Sequence, residues 1–293
     1  MISDPALDAL VPEQRRVMAA LGEAIPPPDP ATLLAASNQD VPGNPRRTVR
    51  VIRPPGEVRG VLLHIHGGGF QFGDARMADG MNSYLAREVS VATVSVEYRL
   101  APAHPHPAAL EDCVACALWL VSEAQALFGT ARLLIAGDSA GATLAVLTLL
   151  ALRDQHDAAG HFRGASLVAG VYDFAQTPSQ RQATDAHFLS PERLRAMPEV
   201  AFPGITGEAL RDARYSPLYA RLQGLPPAIF SVGGNDSVLD DSLFMAQRWR
   251  AAGNPADLEV YPDAPHPFMS LPTAMAAEAG RRVARFLTAC LRR

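Results

Sequence analysis

Short apolar runs alternate with longer segments of helical period over most of this chain, and this alternation restricts the fold more than any other feature. The runs are rich in Val, Ile and Leu, have the length of β-strands, and read RTVRVI, GVLLHIH, VATVSVEY, RLLIAG, ASLVAGVY, AIFSVGG and DLEVYP. Helices are predicted between them at 75–88, 108–127, 140–154, 237–252 and 273–291. Strands that alternate with helices of this length form a mostly parallel sheet with helices on both faces. The sequence therefore predicts an α/β fold.

The same pattern predicts how the chain is divided. Residues 1–45 contain one amphipathic helix at about 12–24 and a proline-rich connector, and we interpret them as an N-terminal cap segment. Residues 46–173 and 215–293 carry the alternating pattern and form one domain. Residues 174–214 are polar and irregular, with short helical fragments. Because a loop of this length inside a compact domain is usually functional and often a lid, we predict an inserted cap.

Composition excludes two classes of partner. The chain has 30 acidic residues against 26 basic ones, all arginine, and a net charge of −4. It carries no basic patch that would attract nucleic acid or an anionic membrane surface. The N-terminus lacks a basic region followed by an apolar run, and the apolar stretches are shorter than the ~20 residues that span a bilayer. We expect a cytoplasmic protein without nucleic-acid or membrane partners.

Two patterns raise a redox or metal site as an alternative. Cys113 and Cys116 form a C-x-x-C inside a predicted helix, and H-x-H pairs occur at 64–66 and 104–106. A zinc site needs three or four ligands at suitable spacing, and no second cysteine pair or further ligand set accompanies these residues. We interpret both cysteines, and Cys290, as small apolar core residues, give the histidines structural roles, and expect neither metal nor cofactor.

The segment Gly137-Asp138-Ser139-Ala140-Gly141 carries the strongest chemical signal. It follows the strand RLLIA and precedes the predicted helix at 140–154. In a strand–turn–helix context, G-x-S-x-G places the serine at the apex of a sharp turn with its hydroxyl exposed. Glycines are needed two residues on either side because a Cβ atom there would collide with neighbouring backbone. Ser139 is therefore a candidate nucleophile.

A run of three glycines follows the strand that ends at His66. Consecutive glycines are costly unless the backbone must approach another group closely. The amides of such a loop can converge with the amide of Ala140 on one oxygen, which is the arrangement of an oxyanion hole. A phosphate-binding loop is the alternative, but no G-K-[ST] follows and no G-x-G-x-x-G is completed.

A serine nucleophile needs a base, and the base needs an orienting acid. His266 follows the strand DLEVYP, and Asp236 follows the strand AIFSVGG, so both lie where strand ends build sites in α/β sheets. Asp240 and Asp241 are alternative acids, although carboxylates in a first helical turn are also favoured by the helix dipole alone. The order Ser139, acid, His266 is the order found in α/β-hydrolases.

These motifs together resemble the bacterial hormone-sensitive-lipase-like esterases. HGGGF at 66–70, YRLAPAHPHPAALED at 98–112, GDSAG at 137–141 and YSPLYARLQGLPPAIFSVGGND at 215–236 occur in the family's order, followed by the His266 segment. The resemblance implies an α/β-hydrolase fold with a helical cap, a serine carboxylesterase activity, and a homodimer. It further implies the nucleophile Ser139, the base His266, the acid Asp236, and an oxyanion hole at Gly67, Gly68 and Ala140, with assistance from Gly69.

The sequence departs from the family pattern at several positions. The usual Asp-Pro-Leu at the acid is replaced by Asp236-Ser237-Val238, proline follows His266 where glycine is common, Ala103 replaces a usual glutamate, and His106 replaces a usual aromatic. We expect small, mainly short-chain acyl esters as substrates. An amidase or formamidase, an acyltransferase, and a non-catalytic ligand receptor of the same fold remain alternatives. Candidate pocket-wall residues are Phe70, Phe72, Phe188, Phe202, Tyr215 and Phe268.

Overall fold

A single sheet of eight strands organises the protein, as shown by a computed structural model that describes residues 29–266 and 268–293. The strands are β1 (Ala36–Val41), β2 (Arg47–Ile52), β3 (Gly60–Ile65), β4 (Val91–Glu97), β5 (Leu133–Asp138), β6 (Phe162–Val168), β7 (Ala228–Gly233) and β8 (Ala256–Tyr261). Their spatial order is β1-β2-β4-β3-β5-β6-β7-β8. β2 runs antiparallel to both β1 and β4, and every other pair is parallel. The predicted mostly parallel sheet is confirmed.

Helices cover both faces of this sheet. The α-helices of the described chain are α1 (Asp79–Val89), α2 (Ala108–Phe128), α3 (Ala140–His156), α4 (Pro178–Arg181), α5 (Pro191–Ala201), α6 (Leu239–Ala251) and α7 (Ala274–Arg292). The five long helices predicted from the sequence correspond to α1, α2, α3, α6 and α7. In the part of the chain that the structure describes, no helix is both long and apolar enough to cross a bilayer.

The alternation of side chains along β3 explains the two layers. Val61 and Leu63 pack into the larger core with α2, α3 and α6, whereas Leu62 packs into a second core with α1 and α7. Successive strand residues point to opposite faces, so a strand buried on both faces is apolar along most of its length. All six residues of β3 are buried, and His64 is the polar one among them.

The structure differs from the sequence-based prediction at β1. Residues 1–45 were predicted as an N-terminal cap segment, but Ala36–Val41 form the outermost strand of the sheet. This strand reads ASNQDV and is largely exposed, so it lacks the apolar pattern that reveals a strand. The predicted helix at about 12–24 lies outside the described residues. A second difference is β6, which ends at Val168 rather than at Tyr172.

The cysteines lie in the core, as predicted. Cys113 and Cys116 are buried in α2, Cys290 is buried in α7, and all three are free thiols. Burial raises the pKa of Cys116 to about 12 and raises that of Cys113 as well. Because the thiolate is the reactive form, these side chains are inert packing groups.

Candidate active site

Ser139 lies at the apex of a sharp turn between β5 and α3. Its backbone angles are φ 52° and ψ −123°, a conformation that residues with a side chain rarely adopt. A Cβ atom on Gly137 would lie 2.3 Å from the carbonyl oxygen of Gly141. One on Gly141 would lie 2.0 Å from the carbonyl oxygen of Ile65. The two glycines are therefore required for the reason predicted, since no side chain fits where the turn meets β3.

The structure brings Ser139, His266 and Asp236 together from three separate loops. The Nε2 atom of His266 lies 2.8 Å from the Ser139 Oγ atom, and its Nδ1 atom lies 3.0 Å from both carboxylate oxygens of Asp236. A carboxylate only accepts hydrogen bonds, so Nδ1 carries the proton and Nε2 is left to accept from the serine hydroxyl. The three residues follow β5, β7 and β8, whose carboxyl ends lie at the same edge of the sheet.

Asp236 is held in place without the proline that the family usually has after it. Its Oδ1 atom accepts a hydrogen bond from the backbone amide of Val238 at 3.0 Å. Both Asp236 and His266 are buried, with 4% and 7% of their surface exposed. Burial of a hydrogen-bonded pair fixes the orientation of the imidazole ring. The turn keeps its shape through this local bond.

The two alternative acids have other partners. Asp240 accepts a hydrogen bond from the amide of Ser179 at 2.8 Å. Asp241 is fully buried and accepts four hydrogen bonds, from the amides of Tyr172 and Asp173 and from the side chains of Thr177 and Gln180. Burial raises the pKa of Asp241 to about 7, against the effect of these donors. Both carboxylates tie α6 to the start of the predicted cap rather than orienting His266.

In the glycine loop, residues 67–69, the amides of the two predicted donors, Gly67 and Gly68, differ in their hydrogen bonds. The amide of Gly67 donates to the Oδ2 atom of Asp138 at 3.0 Å, so it cannot also bind a substrate oxygen. Within residues 29–266 and 268–293, the amides of Gly68 and Gly69 have no hydrogen-bond acceptor. The amide of Ala140 belongs to the first residue of α3, where the helix itself offers no acceptor. Of the predicted donors, the Gly67 amide is therefore occupied, whereas the amides of Gly68 and of Gly69, the residue expected to assist, are not.

The side chains of His66 and Tyr98 contact the backbone of the glycine loop. Their rings stack with centroids 4.1 Å apart, and the Tyr98 hydroxyl donates to the carbonyl oxygen of His66 at 2.9 Å. The Nδ1 atom of His66 is 2.7 Å from the carbonyl oxygen of Gly67. Burial lowers the pKa of His66 to about 4, so this ring is neutral at neutral pH. Sequence reasoning missed Tyr98, because only the pairing of β3 with β4 brings it beneath the loop.

His64, His66 and His106 of the two H-x-H pairs have structural contacts, and His104 is exposed. The Nε2 atom of His64 lies 3.4 Å from the Oδ1 atom of Asp138. His106 packs edge-on against Phe202 and Tyr215, so it occupies an aromatic environment at the position where the family usually has an aromatic residue. The described residues contain no group of three or more His, Cys, Asp or Glu side chains arranged to hold a metal ion.

Aromatic side chains surround the site on the side of residues 174–214. Phe70, which follows the glycine loop, packs against Phe174 and Phe202, and Phe202 in turn packs against Tyr215. Phe188 stacks on the His266 ring, with centroids 5.7 Å apart and an angle of 9° between the planes. Of the predicted wall residues, Phe70, Phe188, Phe202 and Tyr215 belong to this group.

The remaining two predicted wall residues have different surroundings. Phe268 is buried against Tyr261 in a separate small core with Ala264 and Ala279, so its prediction as a wall residue is not supported. Phe72 is half-buried, and its carbonyl carbon and oxygen lie against the position that a Cβ atom on Gly68 would occupy. Its backbone shapes the glycine loop.

Comparison with known proteins gives a consistent picture. The model of a family described as having the alpha/beta hydrolase fold matches residues 62–270. The chain is 30% identical to carboxylic ester hydrolase LipN of Mycobacterium tuberculosis, over 91% of this chain and 72% of LipN. It is also 30% identical to an acetyl esterase of Salmonella schwarzengrund, over 86% of this chain and 82% of that protein.

Solved structures agree with the sequence relatives. A hormone-sensitive lipase from a metagenome library superposes with a TM-score of 0.81 and 28% identity, covering 96% of this chain and 91% of that one. The thermostable carboxylesterase EstE1, also from a metagenomic library, superposes with a TM-score of 0.83 and 26% identity, covering 99% and 98%. The similarity therefore extends over nearly the whole chain.

Proposed function

The chain belongs to the alpha/beta hydrolase family and is a carboxylic ester hydrolase, and from this premise we propose that it cleaves small acyl esters through an acyl-enzyme on Ser139. The observation that carries the proposal is the pair of contacts made by the His266 ring. One nitrogen lies 2.8 Å from the Ser139 hydroxyl, and the other lies 3.0 Å from the Asp236 carboxylate. A base held between a nucleophile and an orienting acid is what serine acyl transfer requires.

Acylation follows from these contacts. The Ser139 oxygen attacks the ester carbonyl carbon while its proton passes to Nε2 of His266, and Asp236 stabilises the imidazolium that forms. His266 then gives the same proton to the alcohol oxygen as the bond between that oxygen and the carbonyl carbon breaks. Water repeats the sequence on the acyl-enzyme, which releases the acid and restores the serine hydroxyl.

The negative oxygen of the tetrahedral intermediate needs donors that are already in place. We assign this role to the amides of Gly68, Gly69 and Ala140, because the Gly67 amide is bound to Asp138. Loss of one such donor typically costs about 3 kcal/mol of transition-state stabilisation. The positive end of the α3 dipole, which begins at Ala140, favours the same charge.

The surroundings of the triad support a small acyl group. The aromatic side chains Phe70, Phe174 and Phe202 pack against one another next to the glycine loop. The relative from Salmonella is named an acetyl esterase, and an acyl group of that size or slightly longer is apolar like these side chains. Residues 174–214 form the cap in this proposal, and Phe188 brings the cap directly onto the catalytic base.

The test is a series of p-nitrophenyl esters with acyl chains of increasing length, assayed with wild-type protein and with Ser139→Ala. We expect kcat/KM to be highest for the short soluble esters and to be lost in Ser139→Ala. Faster turnover of long-chain emulsified esters would overturn the substrate preference. A higher kcat/KM for matched p-nitroanilides would identify an amidase, and accumulation of transacylation products in the presence of alcohols would identify an acyltransferase.

Two further expectations concern assembly and location. We propose a homodimer, because β8 forms an open edge of the sheet and Val260 on that strand is 44% exposed. An exposed strand edge with apolar side chains invites pairing with a second copy. Light scattering during size exclusion would give the molar mass, and a monomer at micromolar concentration would refute the dimer. The cytoplasmic location is likewise a proposal, to be tested by cell fractionation.

A further inference from the structure

Asp138 joins the two segments that carry the proposed oxyanion donors. It is the last residue of β5, directly before Ser139, and its Oδ2 atom accepts the amide hydrogen of Gly67 at 3.0 Å. Gly67 lies two residues after the end of β3, and β3 pairs in parallel with β5. The contact therefore links the glycine loop, with two proposed donors, to the turn that presents the third.

The direction of each backbone N–H in the loop is fixed by the carbonyl oxygen of the same peptide group. A peptide is planar, so its N–H points away from its carbonyl oxygen. The carbonyl of Gly67 is held by Nδ1 of His66 at 2.7 Å and by the Tyr98 hydroxyl at 3.3 Å, which directs the Gly68 amide the other way. The carbonyl of Gly68 accepts from the amides of Gln71 and Phe72, both at 3.0 Å, which directs the Gly69 amide.

The peptide group between His66 and Gly67 connects the glycine loop to the turn that carries Ser139. Tyr98 holds its carbonyl oxygen and Asp138 holds its N–H. Gly67 approaches Asp138 so closely that a Cβ atom there would lie 2.5 Å from the Oδ2 atom. The Asp138 carboxylate is therefore the side-chain contact between the loop and the turn, in addition to the close backbone packing of Gly141 against Ile65 and His66.

The charge state of Asp138 suits this role. Burial raises the pKa of Asp138, but the interactions with His64 and the hydrogen bond from the Gly67 amide lower it overall. The side chain is therefore an acceptor at neutral pH. His64 stands on the other side of the carboxylate, with its Nε2 atom 3.4 Å from the Oδ1 atom, and limits its rotation.

We propose that Asp138 is a positioning residue that holds the glycine loop against the nucleophile turn, so that the amides of Gly68, Gly69 and Ala140 meet at one point. The inference rests on the proposed esterase function. Asp138 acts through Gly67 and does not bind the substrate. Because the donors matter most when negative charge develops, loss of Asp138 affects the transition state more than the bound substrate.

Two substitutions separate the hydrogen bond from the charge. Asp138→Ala removes the acceptor, whereas Asp138→Asn keeps an oxygen that can accept from the Gly67 amide. Glu97→Ala is the matched control, because Glu97 ends the neighbouring strand β4 and accepts the amide of Ala75 at 3.0 Å without contacting the glycine loop. If the alanine variant does not fold, Asp138→Ser, whose hydroxyl is too short to reach Gly67, takes its place.

The readouts are kcat and KM for p-nitrophenyl butyrate and the inhibition constants of two butyryl analogues. One is a trifluoromethyl ketone, which forms a tetrahedral adduct with serine, and the other is a planar amide. We expect Asp138→Ala to lower kcat by about 10- to 100-fold, the scale of a small misplacement in an active site, with little change in KM. The inhibition constant of the trifluoromethyl ketone should rise by a similar factor, whereas that of the amide should not.

The outcomes distinguish this inference from the function on which it rests. Asp138→Asn and Glu97→Ala should stay within about threefold of wild type, the range of a contact that does not act in the transition state. A wild-type kcat in Asp138→Ala, equal losses in the alanine and asparagine variants, or equal weakening of both inhibitors would overturn the positioning role. If wild-type protein and Ser139→Ala are equally inactive on the ester, the proposed function itself fails.

Discussion

The edge of the sheet that carries Ser139, here called the catalytic edge, and the proposed cap segment at 174–214 are built by different means. At the edge, backbone atoms decide the geometry, since Gly141 lies so close to β3 that a single Cβ atom would overlap the carbonyl oxygen of Ile65. In the cap, Gly204 and Gly207 have no atom within 4 Å of their Cβ positions, and aromatic side chains make the contacts. The catalytic edge should therefore tolerate almost no change, while the cap should tolerate substitution and set substrate range.

The largest effect is expected at the acid. Asp236→Asn keeps the shape of the side chain but favours the wrong tautomer of His266, so we expect kcat to fall by about 10⁴-fold. Asp240→Asn is the matched control, because its carboxylate binds the amide of Ser179 instead. Steady-state kinetics on a short p-nitrophenyl ester would measure both. Equal losses in the two variants would show that the assignment of Asp236 is wrong.

The next effect concerns stability at the edge of the sheet. Gly141→Ala forces a Cβ atom to 2.0 Å from the Ile65 carbonyl oxygen. We expect the free energy of unfolding to fall by more than about 3 kcal/mol, the upper range for overpacking, because backbone must move. Gly160→Ala, where nothing lies within 4 Å, should change it little. Urea titration of both variants tests this contrast, and equal stabilities would contradict it.

Features of the fold and the site were predictable from the sequence where they depend on local patterns, and not where they depend on contacts between distant residues. The strands and the turn at Ser139 were predictable because apolar runs and glycine spacing are local patterns. Asp236 was preferred over Asp240 and Asp241 from its place after a strand, but the two alternatives stayed open, because three nearby carboxylates differ only in which distant groups they face. The strand Ala36–Val41 was missed because its side chains are mostly exposed and carry no apolar alternation.

The oxyanion donors show the same limit. Gly67, Gly68 and Gly69 are identical in sequence, and only the bond from the Gly67 amide to Asp138 shows which amide is occupied. That bond spans two strands that are distant in the chain, so no local motif reveals it. The pairing of β3 with β5 is the information that the sequence lacked.

An effect on the pH dependence of stability is expected where the two regions join, at Asp241. Burial raises the pKa of this carboxyl to about 7 from an ordinary value of 3.8, so the folded protein keeps a proton that the unfolded chain has released. Stability contributed by this group is therefore present at low pH and is lost as pH rises from about 4 to about 7. The difference in unfolding free energy between wild type and Asp241→Asn should follow that slope, and a difference independent of pH would refute it.

The smallest effect is expected within the cap. Phe202 packs against Phe70, Phe174 and Tyr215, so Phe202→Leu should alter the shape of the apolar wall without touching the catalytic groups. We expect a change in KM of about three- to tenfold that depends on acyl length, equivalent to about 1 kcal/mol of apolar contact, with kcat nearly constant. Phe244→Leu on the exposed face of α6 is the control. A large loss of kcat in Phe202→Leu would remove the distinction between the two regions.

Covalent labelling tests the central claim most directly. A fluorophosphonate reacts with a serine only where a base and an oxyanion hole activate it. Treatment of the folded protein, digestion with trypsin and mass spectrometry should place a single adduct on the peptide 133–153, which contains Ser139 between two arginine cleavage sites. Ser139→Ala should carry no adduct. Labelling of another peptide, or equal labelling of the alanine variant, would contradict Ser139 as the nucleophile.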